Sequence, residues 1–143
     1  MKKELPQIAK HTMRTLAAIE EAVTRFARRH RYSAGADLRN AARHVARCVR
    51  RAWHDRQRQL LRVRELSEAI DDLKLELMLS DAVKAFRSGA EFEAVAWLVN
   101  DLGRQVGGWL KALHSKGQNA RAESPVQRVQ TLSSRATPHG ENP

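Results

Sequence analysis

The chain is 143 residues long and carries 26 Lys and Arg against 16 Asp and Glu, a net charge of +10. Its single cysteine, Cys48, excludes an internal disulfide and a Cys-based zinc cluster and is expected to be a small core residue; no apolar stretch reaches the ~20 residues of a membrane-spanning helix or follows the basic start MKKELPQIAKH as a signal peptide would. The composition therefore predicts one soluble, unexported, cytoplasmic domain with an acidic partner, nucleic acid ahead of an anionic membrane surface.

Pro6 suits the first turn of a helix, and Ile8, Thr12, Leu16, Ile19, Val23 and Phe26 then mark one helical face to about His30. The segment HRYSAGADLR breaks that rhythm. Gly35 offers a turn and the Ser33/Asp37 pair an N-cap, so a second helix is expected from about Asp37. It carries Leu38, Ala42, Val45, Val49 and Ala52 on one side and Arg39, Arg43, Arg47, Arg50 and Arg51 on another. HDRQRQ, from His54 to Gln59, reads as a short connection. The third helix has Val63, Leu66, Ile70, Leu73 and Leu77 as its seam, with Leu75 and Leu79 widening the stripe, and is expected to run to about Phe86. Ser88 and Gly89 punctuate the chain, and Glu91 and Glu93 follow in the first turn of a fourth helix, where the helix dipole favours negative charge.

The rest of the chain is organised around that fourth helix. Phe92, Val95, Val99, Leu102, Val106, Trp109 and Leu113 alternate at spacings of three and four, which draws one stripe down a bundle seam. Gly103 and Gly107 stand one turn apart within it, each costing about 1 kcal/mol relative to Ala, so both are expected to serve close approach to a helix or subunit. Trp109 falls on the seam, whereas Trp97 lies off it and is a candidate subunit contact. From about Gly117 the periodicity stops. The expected architecture is all-α, an antiparallel up-down-up-down four-helix bundle over residues 1–117 followed by a disordered polar tail over residues 118–143.

Charge is concentrated early: residues 1–56 hold 14 Lys and Arg against 5 Asp and Glu, and residues 57–143 hold 12 against 11. Arg28, Arg29 and Arg31 precede Arg39, Arg43, Arg47, Arg50 and Arg51, and few acids relieve their repulsion. Planar guanidinium groups bond two phosphate oxygens at once, so these eight are the expected nucleic-acid contacts, set against the plainer reading of a solvated face. Base stacking is not indicated for them, as a run of interleaved aromatics would indicate it.

The turn residues His30, Arg31, Tyr32, Ser33, Gly35 and Leu38, together with Leu102, Gly103, Gly107, Gly108, Trp109 and Leu110 and the trailing Lys116-Gly117-Gln118, resemble the accessory variability proteins (Avd) of diversity-generating retroelements, over roughly Val23 to Gln118. That family lies within a wider four-helix-bundle group that includes proteins encoded in ribosomal-RNA intervening sequences. The resemblance implies a basic homopentameric barrel, without catalysis or cofactor of its own, that binds a dedicated reverse transcriptase and its template RNA, and DNA or cDNA, during mutagenic retrohoming. The tail after Gln118 has no counterpart in that pattern. A free-standing basic RNA-binding bundle of the intervening-sequence type is the alternative.

A ribonuclease reading is weaker still. Arg39 to His44, RNAARH, is similar to the Arg-x4-6-His motif of HEPN ribonucleases, which could place a clamp and a general acid or base at a phosphate. Yet Arg25/His30 and Arg47/His54 share the spacing, and chance alone predicts ~2.4 such pairs in so Arg-rich a chain. The six histidines show no His-x3-His pair or carboxylate grouping, and no metal ligand is expected among them.

Overall fold

The computed structural model describes residues 6–123, with side chains through residue 117. Among these residues it is all-helical, without a strand: α1 (Gln7–Thr24), α2 (Arg28–Arg31), α3 (Ala34–His54), a 3-10 turn at Arg56–Arg58, α4 (Gln59–Ala82) and α5 (Gly89–Glu123). The four long helices match the four-helix architecture expected from the periodicity. The chain divides into two units, Met1–Leu110 and Lys111–Pro143. In the second, the described residues are helical, Leu113 is half-buried, and Lys111, His114 and Lys116 are exposed. The helix thus passes the expected boundary at residue 118, and the remainder of the expected tail, residues 124–143, lies outside the described residues.

In the first unit α3 packs against both α1 and α4. The core is the set of stripes read from the sequence: Ile19 and Val23 of α1, Leu38, Ala42, Val45 and Val49 of α3, Val63, Leu66, Ile70, Leu73 and Leu77 of α4, and Val95, Val99, Leu102 and Val106 of α5 are all buried. Buried polar groups of α1 are satisfied locally, Thr12 Oγ1 donating to the Ile8 carbonyl at 2.7 Å and Thr15 Oγ1 to the His11 carbonyl at 2.9 Å. His11, 4% exposed, reaches across instead: its Nε2 donates to the Leu98 carbonyl of α5 at 3.1 Å, and its Nδ1 stands 3.5 Å from Asp101 Oδ2.

Helix ends depart from the sequence reading for identifiable reasons. The first helix stops at Thr24, not near His30, because the backbone turns there to let the Ala27 N–H donate to the Ala85 carbonyl at 3.2 Å. The third helical segment, α3, begins at Ala34 instead of Asp37. Ser33 makes no side-chain cap; its hydroxyl turns back to the Arg29 carbonyl at 3.5 Å while its own carbonyl accepts from the Asp37 N–H. Gly35, expected to form a turn, lies inside α3, where a Cβ would meet Val23 Cγ1 at 2.7 Å; bare backbone is needed for packing. The α4 helix ends at Ala82, short of Phe86. Lys84 adopts φ 58°, its N–H bonds the Asp81 carbonyl and the Ala85 N–H bonds the Ser80 carbonyl, which closes the helix and turns Ala85 and Phe86 inward. Phe86 then stands edge-on between Phe26, at a centroid distance of 4.8 Å, and Phe92, at 5.4 Å.

One expectation about the seam is corrected. Leu75 and Leu79 do not widen it; both are 51% exposed, and with Met78 and with Val83 just past the helix end they form an outward apolar face at spacings of three and four. The two glycines also separate. A Cβ at Gly103 would lie 3.2 Å from Lys74 Nζ and 3.7 Å from Ile70 Cγ2, so α4 side chains close over it, whereas a Cβ at Gly107 would meet nothing within 4 Å among the described residues.

Candidate nucleic-acid interface

The eight arginines do not form one continuous surface. Arg39 and Arg43 lean toward α1, where Glu20 takes both: Arg39 Nε donates to Glu20 Oε2 at 3.0 Å and Arg43 Nη2 to Glu20 Oε1 at 3.3 Å. These partly exposed pairs supply little stability, about 0–1 kcal/mol each, yet the shared carboxylate offsets half of the charge in the middle of the stripe. The short α2 helix carries Arg28, Arg29 and Arg31; Arg28 and Arg29 are exposed, Arg29 Nε bonding His30 Nε2 at 3.1 Å, while Arg31 is half-buried with no hydrogen-bond partner for its Nε among the described residues. Arg47, Arg50 and Arg51 form the other group. All three are exposed, and among the described residues no carboxylate pairs with them. From Arg39 to Arg50 is about 16 Å along α3 at ~1.5 Å per residue, so this partly compensated stretch separates the arginines of α2 from those at the end of α3.

At the C-terminal end of α3 the unpaired cluster meets the turn into α4. Asp55 holds this turn: its carboxylate accepts from the Arg58 N–H at 3.3 Å and from Nε of Arg58 and of Arg62, each at 3.0 Å. The Arg62 hydrogen bond, with help from Arg58, keeps the Asp55 carboxyl below its ordinary range. Asp55 is thereby already balanced by two cations. Arg56 has no such partner among the described residues; its guanidinium lies over the Trp53 ring, 5.9 Å from the centroid.

Trp53 is the residue that linear reading undervalued. It is 39% exposed and meets Trp109 of α5 edge to face, with centroids 6.4 Å apart. Together with Pro6, Gln7, Ile8 and Gln105 the two indoles line an open cleft of about 320 Å³. The arginine run is not free of aromatics: Tyr32, between Arg31 and Arg39, is 78% exposed, and one helical turn beyond Arg50 an indole shares its surface. The signal was RRAW at Arg50 to Trp53, read with a helical rather than a linear neighbourhood. Trp97, by contrast, is 60% exposed on the outer side of α5, apart from this cleft.

The Arg39/His44 pair is not brought together. Arg39 is held by Glu20, while His44 Nε2 lies 3.7 Å from Cys48 Sγ, one turn along α3. His44 lines a groove facing α4 with Arg51, Glu65, Glu68 and Asp72, where three carboxylates outnumber the one guanidinium and disfavour phosphate. Cys48 is buried, as expected of a core residue, and burial pushes its thiol up, which disfavours the reactive thiolate. Among the described residues no group of three His, Cys, Asp or Glu is placed to hold a metal ion, and no helix is long and apolar enough to cross a membrane. Comparison with protein-family models gives no match, and comparison with curated proteins gives none either.

Proposed function

We propose that this chain is a non-catalytic, nucleic-acid-binding accessory protein, cytoplasmic, that associates with a retroelement reverse transcriptase and its template RNA. The resemblance of its turn and last-helix residues to the Avd family motivates the partner. The observation that carries the binding role is the exposed cluster Arg47, Arg50 and Arg51, without carboxylate partners among the described residues, at one end of α3. Such charge is unfavourable alone and is relieved by phosphate. In the same reading the helices run up-down-up-down and the chains assemble as a homopentamer. The outward apolar face of Leu75, Met78, Leu79 and Val83 and the exposed Trp97 support assembly, since each leaves apolar surface in water until a neighbour covers it.

A salt titration of RNA affinity, on protein whose mass has been measured by light scattering, tests both parts. Binding through phosphate contacts lowers log affinity linearly with log salt, by about 0.7 per contact on single strands. Replacing Arg47 and Arg50 with Gln should weaken binding to all sequences alike and flatten that slope by roughly one to two units. An unchanged slope would reduce these arginines to a solvated face. A particle of 16.2 kDa, the mass of one chain, would remove the pentamer.

A further inference from the structure

Phosphate contact alone leaves the Trp53/Trp109 cleft without a role. A protein interior would enclose two adjacent indoles; here they are left open beside arginines that have no carboxylate partner among the described residues. Arg50 lies one turn before Trp53 on the same helix, and Arg56 rests on the Trp53 ring itself. The edge-to-face angle of 62° means the indoles do not stack on one another. At the rim, Gln105 donates one N–H of its Nε2 to Asp101 Oδ2 at 3.1 Å, with a second N–H and the side-chain carbonyl remaining.

From this geometry we infer that the cleft receives one unpaired base of a single-stranded nucleic acid, stacked on Trp53, with the adjoining phosphates on Arg50 and Arg56. The inference rests on the nucleic-acid-binding reading above and adds to it a base-contacting element. In the free protein the Arg56 guanidinium occupies the ring face that a base would take, and on binding it moves to the phosphate beside that base. The occupant is a nucleic acid because the cleft pairs an open indole with Arg56 on its ring and Arg50 one turn before it, neither with a carboxylate partner among the described residues; an apolar protein surface would leave both charges uncompensated. Stacking tolerates any base, so the preference is for single strands over duplexes and only weakly for sequence.

The test compares three probes on the full chain: a short single-stranded RNA, the same backbone with abasic sites, and a DNA strand of the same sequence. The variant is Trp53→Leu, which keeps apolar bulk and loses the ring, with Trp53→Phe as the conservative control. Trp53→Leu should lose roughly 5- to 150-fold in affinity for the intact RNA, the range for one stacked base, and nothing for the abasic strand. Trp53→Phe should recover part of the loss. An equal loss with DNA assigns the contact to base and phosphate, and a loss confined to RNA adds the 2′-hydroxyl. Unaltered intact-RNA affinity in Trp53→Leu, with helical content preserved, overturns the cleft while leaving phosphate binding intact. Failure of the unaltered protein to bind any strand overturns both readings.

Discussion

The two ends of the Met1–Leu110 unit both contain clustered aromatic side chains, and they use them in opposite ways. At one end Phe26, Phe86 and Phe92 interlock, the Ala27–Ala85 backbone bond ties the loops together, and Arg25 closes over the edge with its Nη2 2.6 Å from Glu91 Oε2. At the other end Trp53 and Trp109 touch only edge to face and leave a cleft, and the adjoining turn is held by charge, Asp55 between Arg58 and Arg62. Phe has no polar atom and gains nothing from water, whereas indole offers a flat polarisable face to a ligand. One end is spent on stability, and the other is available for recognition.

The largest contrast should appear on truncation. Phe26→Ala, which empties a position 2% exposed among two other rings, should cost about 3–5 kcal/mol in chemical denaturation, whereas Trp53→Leu should change stability by less than about 1.5 kcal/mol. Similar losses at both positions would erase the distinction between the ends. Next in size is Gly35→Ala. The added methyl drives into Val23 Cγ1, and overpacking of this kind costs about 1–3 kcal/mol. Adding Val23→Ala should relieve the clash, so the double variant should be more stable than the sum of the two single losses; strict additivity would mean the close approach is not what Gly35 provides.

The smallest effect concerns acid at the tryptophan end. Because its folded pKa is depressed, the Asp55 carboxylate stabilises the fold fully above its ordinary value of 3.8, and that contribution is lost as pH falls through the lower folded value. Asp55→Asn lacks this contribution at every pH. The difference in melting temperature between the native and Asn proteins should therefore be present near neutrality and shrink in that acid window. A difference independent of pH would place the effect in packing rather than in charge.

The seams were legible because burial acts on every turn of a helix: each of the five positions read as the α4 seam, from Val63 to Leu77, is buried. Leu75 and Leu79 were misjudged by the same logic, since a stripe of leucines does not announce whether its second face meets the chain's own core or the outside. Helix ends were less legible. Their positions depend on partners distant in sequence, such as the Ala85 carbonyl for Ala27 and the Val23 methyl for Gly35. At the candidate interface the basic residues were visible, but their division was not. Glu20 lies 19 residues before Arg39, and only the packing of α1 on α3 turns that carboxylate into a counterion.

His11 has a consequence for alignment. Two apolar stripes in contact can slide by a turn and still bury similar surface, so hydrophobic burial by itself tolerates several registers between α1 and α5. The imidazole cannot be relocated so cheaply. Moved by one turn, about 5.4 Å, it would forfeit both the Leu98 carbonyl and the Asp101 carboxylate and leave a buried ring nitrogen unpaired. A single polar peg near the start of α1 thus selects one phase of the helix pair from several that are nearly equal in apolar area. Pro6, Ile8, Trp109 and Gln105, drawn from the same two helices, are brought opposite one another as a result.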